Sequence, residues 1–219
     1  MKLLIRPRLN SPANRLSVIP SRLVVRSRPR RVLDFDCECR PLHWYGGDFT
    51  SKEITAIAWA WTDRPDDVTC LLLGEVDVPT MLRRFVAAYD QADMVTGHYI
   101  RGFDLPLIVG QLTEYGLPIL NDKLTHDTKL DAVRRHGMSN SQENWGGMLG
   151  LSHPKIPMDQ SKWRAANRLT PEGLEQVRTR VVGDVTQHIE MRATMLRLGY
   201  LSEPKRWSAG GEKVEGYTP

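Results

Sequence analysis

Asp36 and Glu38 stand two residues apart in the stretch Leu33-Asp34-Phe35-Asp36-Cys37-Glu38-Cys39. Val32, Leu33 and Phe35 predict a short buried strand. Strand side chains alternate, so Asp36 and Glu38 share one face and Cys37 and Cys39 the other. Two carboxylates on one strand face repel, and burial raises their pKa. A divalent cation offsets both costs, because hard ions take oxygen ligands. The competing reading is a solvent-facing acidic edge. Two more acidic positions stand out along the chain. Asp104 follows a strand, a glycine-containing turn and Phe103, then leads into a helix. Ligands in such sheets collect beyond strand ends; a helix cap is the alternative. Asp184 lies in Arg180-Val-Val-Gly-Asp-Val-Thr-Gln-His188. Val181, Val182 and Val185 can face a core while Asp184 lies at its margin, although an ion pair with Arg180 one turn away also accounts for it.

The elements that must position these acids are legible from periodicity. Residues 53–61 alternate, with Ile57, Trp59 and Trp61 on one side, and predict a strand. Residues 62–67 have turn chemistry, and residues 68–73 predict a third strand, giving a meander. Met81, Leu82, Phe85, Val86 and Tyr89 have helical spacing. Residues 94–96 predict a fourth strand running into Gly97. Helices are expected over 105–115, 127–135, 141–149 and 171–198, the last with Thr170 as cap and Pro171 at its start. Residues 151–169 read as irregular and residues from 202 onward as a loose tail. Antiparallel strands followed by alternating helices and strands predict an α/β fold, a mixed sheet covered by helices. The first, very apolar strand belongs near its centre. The division expected is a basic arm over 1–30, one domain over 31–200 and a tail over 201–219.

Composition bounds the partners. A chain of 219 residues, 41 % hydrophobic and 26 % charged, suits one globular domain. No apolar run is long enough to cross a membrane, and Arg6 and Arg8 interrupt the apolar start, so no signal-peptide core is expected. Three cysteines, two on one strand face, suggest reduced core residues and a cytoplasmic location. The net charge of +4 hides an asymmetry: residues 1–33 hold nine of the 30 basic residues and no acid, which leaves 21 basic against 26 acidic residues elsewhere. A basic arm on an acidic body suggests nucleic acid as partner, with Arg28, Arg30 and Arg31 as contacts nearest the domain; a solvated terminus is the alternative.

Together the acids resemble the DEDD superfamily of 3′→5′ exonucleases, which have a ribonuclease H-like fold. Asp36-Cys37-Glu38 after Phe35 is similar to the first exonuclease motif. Gly97-His-Tyr-Ile-Arg-Gly-Phe-Asp-Leu-Pro106 is similar to the second, as found in proofreading domains of family B DNA polymerases. His126-Asp127-Thr128 resembles a helix start that often follows, and Asp184 takes the place of the third-motif aspartate. The resemblance covers about residues 31–198. It implies metal-dependent hydrolysis of phosphodiester bonds at nucleic-acid ends, with two Mg²⁺ or Mn²⁺ ions held by Asp36, Glu38, Asp104 and Asp184. Single-stranded DNA is the favoured substrate, with RNA as an alternative; no protein partner is indicated. A catalytically weak or inactive module that still binds nucleic acid is the competing function. Two positions depart from the pattern: Tyr99 stands where Asn is usual, and Arg180 stands where a Tyr is usual four residues before the aspartate. Arg180, His188 and Tyr99 are therefore the candidate accessory residues. Trp59, Trp61 and Trp145 could stack bases, with core packing the alternative for each.

Lysine and arginine release counterions from phosphates, so each lost contact flattens the salt dependence of binding by about one unit of slope. Deleting residues 1–29 should weaken oligonucleotide binding and flatten log K against log salt. An unchanged slope would reduce the arm to a solvated terminus.

Overall fold

The computed structural model describes residues 28–42, 51–133 and 137–210. Most of the basic arm, the end of the helix expected over 127–135 and the last nine residues lie outside the described residues.

Six strands form one sheet in the order β3-β2-β1-β4-β5-β6. They are β1 (Val32–Pro41), β2 (Lys52–Trp61), β3 (Arg64–Leu72), β4 (Met94–Gly97), β5 (Lys123–Asp127) and β6 (Lys205–Trp207). The first strand is central, antiparallel to β2 and parallel to β4. Helices α1 (Val78–Gln91), α2 (Asp104–Glu114), α3 (Gln142–Leu149), α4 (Gln160–Asn167) and α5 (Pro171–Arg197) complete the described part. This is the ribonuclease H-like mixed α/β arrangement. Among the described residues no helix is long and apolar enough to cross a membrane.

The two faces of the sheet differ in bulk, and that difference places the site. On one face Leu33, Phe35, Ile57 and Trp59 pack against Met81, Leu82 and Phe85 of α1 and Leu105 and Ile108 of α2. On the other, Ala56, Ala58 and Ala60 of β2 meet Val177, Val181, Val185 and Ile189 of α5. Three alanines in a row let α5 lie close to the strands. The register sets Asp34 beside Ala60, Asp36 beside Ala58 and Glu38 beside Ala56. Each carboxylate of β1 thus has a small neighbour on its own face, under α5.

Several expectations are corrected. Residues 123–127 form a strand, and Asp127 ends it rather than opening a helix. Its carboxylate accepts N–H bonds from Tyr99 and Arg101 at 3.0 Å each, and from Lys129 and Leu130 in the turn that follows. Residues 160–167 are helical, with Asp159 capping the Lys162 N–H. Residues 205–207 form an edge strand on β5. An eight-residue helix and a three-residue strand are too short to show a clear period. Trp59 and Trp145 are core residues. Trp61 is part-buried, with the Arg31 guanidinium 4.2 Å from its ring centroid.

Close approach of β1 and β4 rests on Gly97. A Cβ there would come 2.7 Å from the Phe35 carbonyl oxygen and 2.3 Å from Ile100 Cγ2. Gly97→Ala should therefore destabilise the fold by about 1–3 kcal/mol through overpacking, measured by chemical denaturation. An unchanged midpoint would contradict this contact.

Candidate metal centre

Strand β1 pairs with β4 only over Val32–Asp34, because β4 ends at Gly97. Beyond that point, among the described residues, the β1 edge has no strand partner on this side. Asp104, the first residue of α2, takes one of the vacated groups: its Oδ1 accepts the Cys37 N–H at 3.0 Å. Asp104 is not the N-cap, a position held by Phe103 without a capping side-chain bond. Its carboxylate reaches across to β1 instead.

From the opposite side α5 presents Asp184. One carboxylate oxygen each from Asp36, Glu38 and Asp184 lies within 4.8 Å of the others. The charges reinforce one another. Burial first, then the charges of Asp104, Asp184 and Glu38, raises the Asp36 pKa well above the usual carboxylate value. Burial, with Asp184 beside it, pushes Glu38 up to about 7 against the pull of Arg180 and Lys155. Burial likewise pushes Asp104 up to about 7, although the Cys37 N–H bond opposes it. Asp184 is raised by burial and lowered by Lys155 and Arg180.

Two protein cations enter this cluster. Arg180 Nε lies 2.9 Å from Asp184 Oδ2 and 3.7 Å from Glu38 Oε1. The first distance is that of an ion pair, but the Nε–H is not aligned on the oxygen and makes no hydrogen bond. The guanidinium is held elsewhere, by an Nη1 donation to the Ile156 carbonyl. Lys155 Nζ approaches Asp184 Oδ2 at 3.4 Å. Asp184 Oδ1 is buried and has no hydrogen-bond partner. An all-oxygen donor set with one buried, unsatisfied carboxylate oxygen suits a hard divalent cation.

His188 and Tyr99 are placed differently. His188 is buried, with Nδ1 2.6 Å from Asp34 Oδ2 and Nε2 2.8 Å from the Thr128 hydroxyl. Both ring nitrogens are therefore engaged. Beyond Thr128 the chain continues to His98 Nδ1 at 2.9 Å, and His98 Nε2 lies 3.1 Å from the Asn140 carbonyl. Proton bookkeeping fixes its direction. Burial pushes the His98 pKa down to about 3, so the ring is neutral. Nε2–H donates to the Asn140 carbonyl, and Nδ1 must accept from Thr128. The Thr128 oxygen then accepts from His188 Nε2–H, which leaves His188 Nδ1 and Asp34 to share one more proton. Donation by Thr128 to Gly97 O, at 3.4 Å, is longer and would leave His98 Nδ1 without a donor. Tyr99 has a left-handed backbone (φ 72°). Its ring covers Gly102, with Lys129 Nζ 4.1 Å from the centroid. Of the basic residues nearest the domain, Arg28 pairs with Asp93 at 2.8 Å, the Arg31 N–H donates to Asp93, and Arg30 is exposed.

Asp34, Thr128, His98 and Lys155 are parts of this region that the sequence analysis did not assign to it. For Asp34 a signal existed, since alternation places it on the face of Asp36 and Glu38. Lys155 had none, standing in an irregular stretch at no fixed spacing from any acid.

No protein-family model matches the sequence, and no curated protein does. Among solved structures the fold is similar to the family B DNA polymerase from the hyperthermophilic archaeon Pyrobaculum calidifontis, with a TM-score of 0.57 and 16 % identity. The match covers 77 % of this chain and 25 % of that one, so this chain corresponds to about a quarter of the polymerase.

Raised carboxylate pKa values give stability an inverted pH dependence. Folded, Glu38 and Asp104 keep protons that the unfolded chain has already released. The folded state therefore binds more protons between about pH 4, the unfolded value, and about pH 7, the folded value. Stability is full below this window and falls as pH rises through it. In EDTA, Tm should fall between about pH 4 and about pH 7, and Asp104→Asn should reduce the fall. An equal fall in wild type and variant would remove Asp104 from the cluster's electrostatics.

Proposed function

We propose that the chain is a divalent-cation-dependent 3′→5′ exonuclease acting on nucleic-acid ends, with single-stranded DNA as the favoured substrate. The observation that carries this reading is the convergence of Asp36, Glu38 and Asp184 within 4.8 Å, with Asp104 beside Asp36 through the Cys37 N–H. The fold likeness to a family B DNA polymerase supports it. So does the order of the acids along the chain, which matches the exonuclease motifs. Asp36, Glu38 and Asp184 would hold a cation, with Asp104 beside Asp36 through the Cys37 N–H. When bound, Mg²⁺ or Mn²⁺ lowers the pKa of a water and offsets charge developing on the leaving oxygen.

The chain's own residues do the rest. The neutral network from Asp34 to Asn140 holds α5 against β1, which keeps Asp184 over Asp36. Arg180 cannot act as a base, because a guanidinium stays protonated. Its fork suits a phosphate oxygen, and the Ile156 carbonyl holds it in place. The position four residues before Asp184 thus lacks a hydroxyl near the attacking water. General acid–base help is worth about 10²–10⁴-fold, so turnover should be slow. The arm supplies sequence-independent affinity, and a reducing cytoplasm suits the free Cys37, Cys39 and Cys70.

The second reading is a module that binds nucleic acid but cleaves it weakly or not at all. It is favoured by one observation, the approach of both Arg180 and Lys155 to Asp184. End-labelled single-stranded DNA and RNA, digested with Mn²⁺, Mg²⁺ or EDTA, separate the two. Shortening from the 3′ end with Mn²⁺, abolished by EDTA and by Asp36→Asn, is the expected result, and Arg180→Tyr should raise the rate. Binding without cleavage in either metal would establish the second reading.

A further inference from the structure

We propose that this centre takes one divalent ion, and that Arg180 and Lys155 together supply the second positive pole. The inference rests on the metal-dependent reading above and deepens it, since the family resemblance implies two ions.

The two cations form a built feature. Arg180 Nη1 donates to the carbonyl of Ile156, the residue after Lys155, so one loop–helix contact fixes both. The same loop packs on α5 at Gly183, where a Cβ would come 3.0 Å from Ile156 Cδ1. Arg180 is 14 % exposed and Lys155 22 % exposed at the side chain, so neither is freely solvated. Both approach the same oxygen, Asp184 Oδ2, at 2.9 Å and 3.4 Å. The other oxygen, Oδ1, is left without a hydrogen bond on a side chain only 4 % exposed. Asp184 is thereby divided, with Oδ2 matched by protein charge and Oδ1 left to a cation.

Charge and donor supply agree. Metal binding strips the protons that the raised pKa values retain, so four carboxylates then bring four negative charges, and the guanidinium and ammonium offset two of them. One divalent ion matches the remainder, whereas a second would leave a positive excess beside Arg180 and Lys155. Donors are also short while Arg180 and Lys155 occupy Asp184 Oδ2. Asp104 Oδ1 is committed to the Cys37 N–H. Among the described residues the carboxylates that converge within ligand reach are the three of Asp36, Glu38 and Asp184. With substrate present, the same guanidinium and ammonium are placed to meet a phosphate oxygen, a role in which oriented cations stabilise developing charge.

The test counts ions on the full chain. Mn²⁺ is titrated calorimetrically into wild type and the Lys155→Met/Arg180→Met double variant, and frozen samples are examined by electron paramagnetic resonance. Expected are one Mn²⁺ per wild-type chain, with the signal of an isolated ion, and two in the double variant, coupled as ions about 3.5–4 Å apart are. Two ions in the wild type overturn the inference and leave the metal-dependent reading intact. One ion in a folded double variant overturns the role given to Arg180 and Lys155. No Mn²⁺ in either protein overturns the metal-dependent reading itself. Should the double variant fail to fold, Lys155→Met alone decides. Lys155→Met should then take a second Mn²⁺ at concentrations where the wild type takes one, because a like-charge neighbour has gone; one ion in both proteins counts against the proposal.

Discussion

A row of three carboxylates on a central strand, covered by a helix, is the constraint on which this structure depends. Asp34, Asp36 and Glu38 share one face of β1, and α5 lies across it with His188, Asp184 and Arg180. Two residues of strand advance about 6.6–6.8 Å, and four residues of helix advance about 6.0 Å. The two periods nearly coincide, so an antiparallel helix can set one residue against each carboxylate. The partners differ in chemistry. His188 shares a proton with Asp34, Arg180 offsets Glu38, and Asp184 adds a further negative charge at Asp36. The middle step is therefore uncompensated by its own partner, and it is flanked by two steps that are compensated.

Packing on both sides of the sheet serves this alignment. Ala56, Ala58 and Ala60 keep the α5 face of β2 low, while Ile57, Trp59 and Phe35 fill the opposite face against α1 and α2. A larger residue at any of the three alanines would lift α5 and separate Asp184 from Asp36. The shortness of β4 matters equally. Because its pairing stops at Asp34, the Cys37 N–H is free for Asp104, and the start of α2 is tied to the same strand. Removing one partner of the buried Asp34–His188 hydrogen bond leaves the other unsatisfied, a change that costs about 1–3 kcal/mol.

Much of this was legible in the sequence, for reasons that also explain the rest. The alternation in residues 53–61 named the bulky side of β2 correctly, because strand period survives in a single segment. Pro171 and Thr170 marked the start of α5, and its valines marked the buried face. Asp36, Glu38, Asp104 and Asp184 form a group in the sequence only through the resemblance of their surroundings to exonuclease motifs; the structure brings an oxygen of Asp36, Glu38 and Asp184 within 4.8 Å of one another and ties Asp104 to the Cys37 N–H. Asp34 falls under the same alternation as Asp36 and Glu38, but nothing in the sequence marks His188 as its partner. Lys155 is not readable in the sequence: it reaches Asp184 from an irregular loop that meets α5 through the Arg180 contact with the Ile156 carbonyl. An aspartate before Thr-Lys suits a helix cap, whereas the Asp127 carboxylate ends β5 and gathers the N–H groups of Tyr99 and Arg101 from the loop after β4.

Anomalous diffraction from a crystal soaked in Mn²⁺ tests the central claim most directly, because it locates the ion without relying on catalysis. The account predicts an anomalous peak in bonding contact with carboxylate oxygens of Asp36, Glu38 and Asp184, with His188 still on Asp34. A well-ordered crystal with no peak among those three residues, and with Arg180 and Lys155 still paired to Asp184, would contradict it.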